Sequence, residues 1–66
     1  MALKPYFVSI VGTTDGKLDD QTIQVSATSL EDAIRQARDQ WEPDTVEEIS
    51  VYADEMLNHK ITTVIF

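Results

Sequence analysis

The sequence contains no cysteine in its 66 residues. A disulfide framework is therefore excluded, and so is a zinc site built from thiolates. Histidine occurs once, at position 59, whereas a zinc centre without cysteine takes several histidine ligands. We accordingly expect no metal ligand set and no cofactor.

Basic residues are also scarce, because five Lys and Arg stand against twelve Asp and Glu and give a net charge of −7. Affinity for DNA or RNA comes from Lys and Arg that neutralise phosphates, and anionic membranes attract the same residues. We therefore expect neither a nucleic acid nor a membrane as partner. An acidic surface favours solubility, a basic protein partner or mimicry of a nucleic acid.

Long apolar runs are missing too. No run approaches the ~18 residues that a membrane span needs, and residues 1–5 do not lead into a signal-peptide core. A cytoplasmic protein is the resulting expectation. Hydrophobic residues make up 42% and charged residues 26%, which indicates a globular chain of one domain over residues 1–66.

Four segments have the composition or the alternation of β-strands, namely residues 6–11, 22–27, 46–53 and 60–66. Between the second and third, apolar residues within 28–41 recur at helical spacing, and Pro43 cannot continue a helix. The order is β-β-α-β-β. It predicts an α+β domain in which a four-stranded sheet carries one helix packed on one face.

The acidic stretch IVGTTDGKLDD, residues 10–20, is predicted to be a hairpin loop because its Gly and Asp residues tolerate left-handed backbone. A calcium loop starting at Asp15 would need Gly and Glu where the sequence has Asp20 and Ser26. A weaker metal or small-molecule site remains an alternative. Its ligands would come from Asp15, Asp19, Asp20 and His59.

One helix covers only one face of a sheet, so the side chains of the strands divide into two sets. The alternation predicts that the helix side takes Val8, Ile10, Ile23, Val25, Ile49, Val51, Ile61 and Ile65. It assigns to the second face Phe7, Val11, Tyr52, Val64 and Phe66. Contiguous exposed apolar residues usually mark an interface, so we expect this second face to bind another copy of the chain or another protein.

No pattern of catalytic residues is visible. The serines lie in predicted strands or at the helix cap and lack the context of a nucleophile elbow. Adjacent carboxylates along a strand point to opposite faces, and so small a domain has little room for a pocket. We expect no catalytic site. Trp41 is expected to cover the end of the core rather than to anchor an interface.

The resulting expectation is a non-enzymatic, small acidic protein-interaction module that forms a homodimer through the second sheet face. Its size and charge resemble those of inhibitors made by phages and other mobile elements against host proteins. One alternative is a metal or small-molecule site in the acidic hairpin loop. The other is a nucleic-acid mimic, whose acidic surface would consist of Asp32, Asp39, Glu42, Asp44, Glu47 and Glu48.

Overall fold

The computed structural model describes residues 2–66, which form four strands and one helix. The elements are β1 (Lys4–Thr14), β2 (Lys17–Ala27), α1 (Leu30–Gln40), β3 (Thr45–Tyr52) and β4 (Lys60–Ile65). The strands make one antiparallel sheet in the order β2-β1-β3-β4. Helix α1 packs against one face of this sheet, so the predicted α+β class and element order are confirmed.

The β1–β2 hairpin closes through a turn of two residues. Thr14 pairs with Lys17, which leaves only Asp15 and Gly16 between the strands, with φ of 54° and 78°. Positive φ at both central positions is the requirement of a type I′ turn, which Asp-Gly satisfies well. The acidic stretch is therefore mostly strand around a tight turn, instead of the longer loop that its composition predicts.

Helix α1 begins and ends at residues with clear caps. The Ser29 hydroxyl accepts a hydrogen bond from the Asp32 N–H at 3.1 Å, which satisfies one free donor of the first turn. At the other end the Trp41 N–H donates to the Ala37 carbonyl, and Pro43 follows. Trp41 is half-buried against the core, so its predicted role in covering the core is confirmed.

The core lies between α1 and the sheet face beneath it, which we call the inner face. Its buried members are Val8, Ile10, Ile23, Val25, Ala27, Ala33, Ala37, Ile49 and Val51. Each buried Val or Ile contributes about 1.5–3 kcal/mol through the hydrophobic effect. Within the described residues, α1 lies over β2, β1 and β3 but not over β4.

The loop between α1 and β3 packs directly against β1. Gly12 is buried, and a Cβ at this position would clash with the Thr45 carbonyl oxygen and with the Pro43 ring. In the same loop, an Asp44 carboxylate oxygen accepts a hydrogen bond from the Asp15 N–H at 3.2 Å. The loop thereby holds in place the end of the β1–β2 hairpin that carries the turn.

The orientation of β4 differs from the prediction. Val64 pairs with Ile49, and directly opposed residues share a face, so Val64 lies on the inner face rather than on the second face. Phe66 also lies on the helix side, since the Arg38 guanidinium of α1 sits 5.8 Å from its ring centroid. By alternation, Ile65 lies on the face away from α1, which we call the outer face.

Two physical reasons explain this reversal. Residues 61–66 place apolar residues and one threonine on each side of the strand, so their pattern alone does not orient the strand. A register shift between Val51 and Tyr52 also gives β4 one residue more than β3, at Ile61. A shift of one residue moves every following side chain to the opposite face.

Candidate functional site

The exposed apolar side chains concentrate at one edge of the sheet. The large hydrophobic residues that are exposed are Leu3, Leu18, Met56, Leu57, Ile61, Val64, Ile65 and Phe66. Six of these eight belong to β4, to the loop before it or to the residue after it. We call the set from Met56 to Phe66 the β4 edge surface, and contiguous exposure of this kind usually marks a binding site.

The limited reach of α1 explains why β4 is exposed on its inner face. Val64 is 40% exposed, whereas its neighbour Ile49 on β3 is completely buried beneath the helix. On the outer face no second layer of described residues covers the strand, and Ile65 is 79% exposed. Strand β4 therefore presents apolar side chains to solvent on both faces.

The backbone of β4 is also open on one side, because this strand pairs only with β3 among the described strands. The Phe66 N–H donates to the Glu47 carbonyl of β3 at 2.9 Å. Backbone groups of successive residues in a strand point to alternate sides. The N–H and C=O groups of Val64 therefore point toward β3, as those of Phe66 do, while those of Thr63 and Ile65 point away from the sheet. These unpaired groups form a template for another strand.

Charge is nearly absent from this edge. Residues 60–66 contain no acid, although the chain has twelve, and their single charged residue is Lys60. The Lys60 ammonium lies 5.8 Å from the Tyr52 ring centroid, a cation–π arrangement. The sequence did contain a signal for an open edge, namely a β-branched strand without acid or proline. Attention to this signal would have added Ile61 and Ile65 to the predicted interface.

The loop between β3 and β4 holds the remaining part of the β4 edge surface in place. The Asp54 carboxylate accepts hydrogen bonds from the N–H groups of Asn58 at 2.9 Å and His59 at 2.7 Å. Partial desolvation acts to raise the pKa of Asp54, but these N–H groups and the His59 imidazole together lower it. Leu57, with φ of 58°, sits in the bend that this carboxylate closes.

The predicted second-face interface is divided by the fold. Phe7, Val11 and Tyr52 do lie on the outer face, where all three are half-buried, but Val64 and Phe66 lie on the inner face. A row of hydroxyl residues, Thr22, Ser9, Ser50 and Thr63, crosses the outer face through all four strands. This row separates Val11 from the Phe7–Tyr52 pair, so the three do not form one apolar patch.

The predicted acidic surface is partly neutralised on α1. Arg35 forms ion pairs with Asp32 and, at 3.9 Å, with Asp39, while Arg38 pairs with Glu42. Hydrogen bonds from the Arg35 guanidinium and from the Gln36 amide lower the pKa of Asp32. Pairing of these acids with the arginines of α1 reduces the charge that they offer to a basic partner.

The other three predicted acidic residues do not extend that surface. Asp44 is engaged by the Asp15 N–H at the hairpin turn. Glu48 is opposite Val11 and Ile65 on the outer face, on the far side of the sheet from α1, and Glu47 stands at the register shift of β3. The six residues therefore form no single acidic face, which weighs against the nucleic-acid mimic.

An open concavity of about 480 Å³ runs along α1. Charged side chains line most of it around Ile34, and the lining contains no serine, histidine or cysteine that could act as a nucleophile or base. Two of its carboxylates, Asp39 and Glu42, are ion-paired with arginines in the same lining. This charged lining differs from the mostly apolar lining that is typical of ligand pockets.

The alternative metal site is not assembled by the described residues. Asp19 pairs with Gly12 and Asp20 with Val11, so the two carboxylates lie on opposite faces of the sheet. His59 lies in the β3–β4 loop, with its Nδ1 atom 3.6 Å from an Asp54 oxygen. Across residues 2–66, no group of three or more histidine, aspartate or glutamate side chains is placed to hold a metal ion.

The chain has no significant match among protein-family models, curated proteins or solved structures. Within the part of the chain that the structure describes, no helix has both the length and the apolar character needed to cross a bilayer. The β4 edge surface is the feature on which a functional proposal rests.

Proposed function

We propose that this chain is a non-enzymatic protein-interaction module that binds an extended segment of protein by adding a strand at β4. The observation that supports this most directly is the edge itself. Thr63 and Ile65 direct unpaired backbone groups outward, and apolar side chains flank them on both faces. Strand addition uses main-chain hydrogen bonds for affinity and alternate side-chain contacts for specificity.

The two faces would make different contacts with the added strand. On the inner face, Val64 and Phe66 remain exposed, although Arg38 of α1 reaches the Phe66 ring, and they meet every second side chain of the incoming segment. On the outer face, Ile65 meets the intervening side chains. An incoming segment with apolar residues on both faces suits this edge, because it buries area that is now in water.

The test uses a synthetic peptide that copies residues 60–66, with two added lysines for solubility, and follows backbone amide signals of the folded chain by NMR. The expected result is that the Thr63 and Ile65 amides shift as peptide is added, while those of β2 do not. Loss of apolar contact and a charge at the edge in Ile65→Lys should weaken binding by about tenfold, which corresponds to 1.4 kcal/mol.

Leu18→Lys is the matched control for this substitution. Leu18 is 69% exposed and lies in β2, at the opposite edge of the same sheet. The variant adds the same charge and removes a similar apolar side chain, so it should leave peptide affinity unchanged. Shifts confined to β2 or α1, or equal weakening in the two variants, would refute strand addition at β4.

A further inference from the structure

We infer that the strand added at β4 is β4 of a second copy, paired antiparallel with Thr63 opposite Thr63 about a two-fold axis. This inference rests on the proposed function and specifies the partner. It makes one continuous sheet of eight strands, with both helices on the same side. The two-fold makes the interface self-complementary, as in most homodimers.

The backbone selects the register. Only residues whose N–H and C=O groups point away from β3 can exchange hydrogen bonds with a new strand, and Thr63 and Ile65 are such residues. A two-fold axis normal to the sheet places one outward residue opposite itself. With Thr63 on the axis, Ile65 of each copy lies opposite Ile61 of the other, and the whole of β4 is paired.

Charge favours a second copy at this edge over the β2 edge of the same sheet. Two chains of net charge −7 repel, and of the two edge strands β4 carries no acid whereas β2 carries Asp19 and Asp20. Like charges placed directly opposite each other destabilise a strand pair, and this register has none.

The pairing also produces a dimer whose remaining sheet edges resist further strand addition. After β4 is paired with β4, the sheet edges that remain among the described strands are the two β2 strands. Strand β2 carries Lys17, Asp19 and Asp20 at its exposed end, and charged side chains on an edge oppose further pairing. The assembly therefore closes at two copies and does not grow into a fibre.

The first measurement is the molar mass in solution by size exclusion with light scattering over a range of concentrations. The expected mass is twice that of the 7.4 kDa chain. Ile65→Lys should return the mass to that of one chain, and Leu18→Lys should leave the dimer intact. Circular dichroism of both variants checks that each remains folded.

The second measurement locates the axis by cross-linking, which is clean because the chain has no cysteine. In a hydrogen-bonded pair the Cα atoms are about 5.5 Å apart, within the range that a disulfide spans. Thr63→Cys should therefore form a disulfide-linked dimer when oxidised glutathione is added. Thr22→Cys is the control, since Thr22 lies in the same hydroxyl row at the β2 edge.

Thr63→Cys removes a hydroxyl that lies 3.2 Å from the Ser50 hydroxyl, so this variant could lose stability. A second cysteine pair provides an independent test. A mixture of Ile61→Cys and Ile65→Cys chains should form the mixed disulfide and leave that contact intact. A monomer at all concentrations that still binds the peptide at β4 would refute self-pairing alone. A dimer that links through neither pair would refute this register, and a dimer that also persists in Ile65→Lys would refute pairing at β4.

Discussion

The two edge strands of this sheet are built in opposite ways. Strand β2 has eleven residues, and its first four include one Lys and two Asp, while its inner side chains are buried beneath α1. Strand β4 has six residues, no acid, and exposed apolar side chains on both faces. Both edges leave backbone groups unpaired, but β2 carries three charged residues that discourage another strand, whereas β4 carries only Lys60 at its first position.

The comparison shows that coverage by α1 decides which edge strand has a buried inner face. Helix α1 lies over β2, β1 and β3, so Val25 on β2 is 4% exposed, whereas Val64 on β4 is 40% exposed. Both residues are valines on the inner face of an edge strand. Their different burial shows that α1 covers the inner face of β2 and leaves the inner face of β4 exposed.

The largest expected loss of stability comes from disturbing the packing of the α1–β3 loop against β1. Gly12→Ala would drive a Cβ into the Thr45 carbonyl and the Pro43 ring, both of which are held by the chain around them. Overpacking of this kind should reduce the free energy of unfolding by about 3 kcal/mol. Urea denaturation monitored by circular dichroism measures the loss.

Gly16→Ala is the control for that substitution. Gly16 has φ of 78°, and a methyl group added there would meet no heavy atom within 4 Å beyond its own neighbours in the chain, so only backbone strain opposes the change. The expected loss is about 1 kcal/mol. If the two alanine variants lost equal stability, close packing of the α1–β3 loop against β1 would not be what Gly12 provides.

The valine pair tests coverage directly. Val25→Ala removes two buried methyl groups and leaves a cavity beneath α1, so we expect a loss of about 2 kcal/mol. Val64→Ala removes the same atoms from an open site and should cost about 1 kcal/mol or less. Both values come from urea denaturation at concentrations where the chain is monomeric. Equal losses would mean that α1 does not distinguish the two edges.

Much of the fold was predictable because its signals are local. The alternation around Ile23 and Val25, the helical spacing around Ala33 and Ala37, and the break at Pro43 each act within one element. The buried residues confirm the predicted inner set on β1, β2 and β3. Polar residues alternate with the buried ones along β2 and β3, so their pattern orients these two strands, and pairing with both of them orients β1.

The candidate site was harder to predict because it depends on pairing between elements. The sequence assigns Val64 and Phe66 to the second face, but pairing of Val64 with Ile49 reverses β4. A strand that is apolar on both sides carries no orientation of its own, and a one-residue shift settles it. Strand β4 is exposed because α1 does not extend across the whole sheet, and no local sequence pattern predicts that relation between helix and sheet.

The smallest expected effect concerns the loop that precedes β4. The pKa of Asp54 is lowered in the folded chain from its ordinary value of 3.8 by the His59 and Asn58 N–H groups and the His59 imidazole, which outweigh partial desolvation. A carboxyl with a lowered folded pKa stabilises the fold above its unfolded pKa and loses that contribution as pH falls through the folded value. Asp54→Ala should therefore lower Tm slightly at pH 7 and have no effect well below pH 3.8.

Glu55→Ala separates this effect from the general loss of one negative charge, because Glu55 is an exposed neighbour in the same loop. Thermal unfolding of the two variants and the parent chain is measured at several pH values between neutral and strongly acidic. The difference between parent and Asp54→Ala should shrink with acidification, while Glu55→Ala shows no such trend. A Tm difference for Asp54→Ala that stayed constant with pH would mean that ionisation of Asp54 does not hold the loop beside β4.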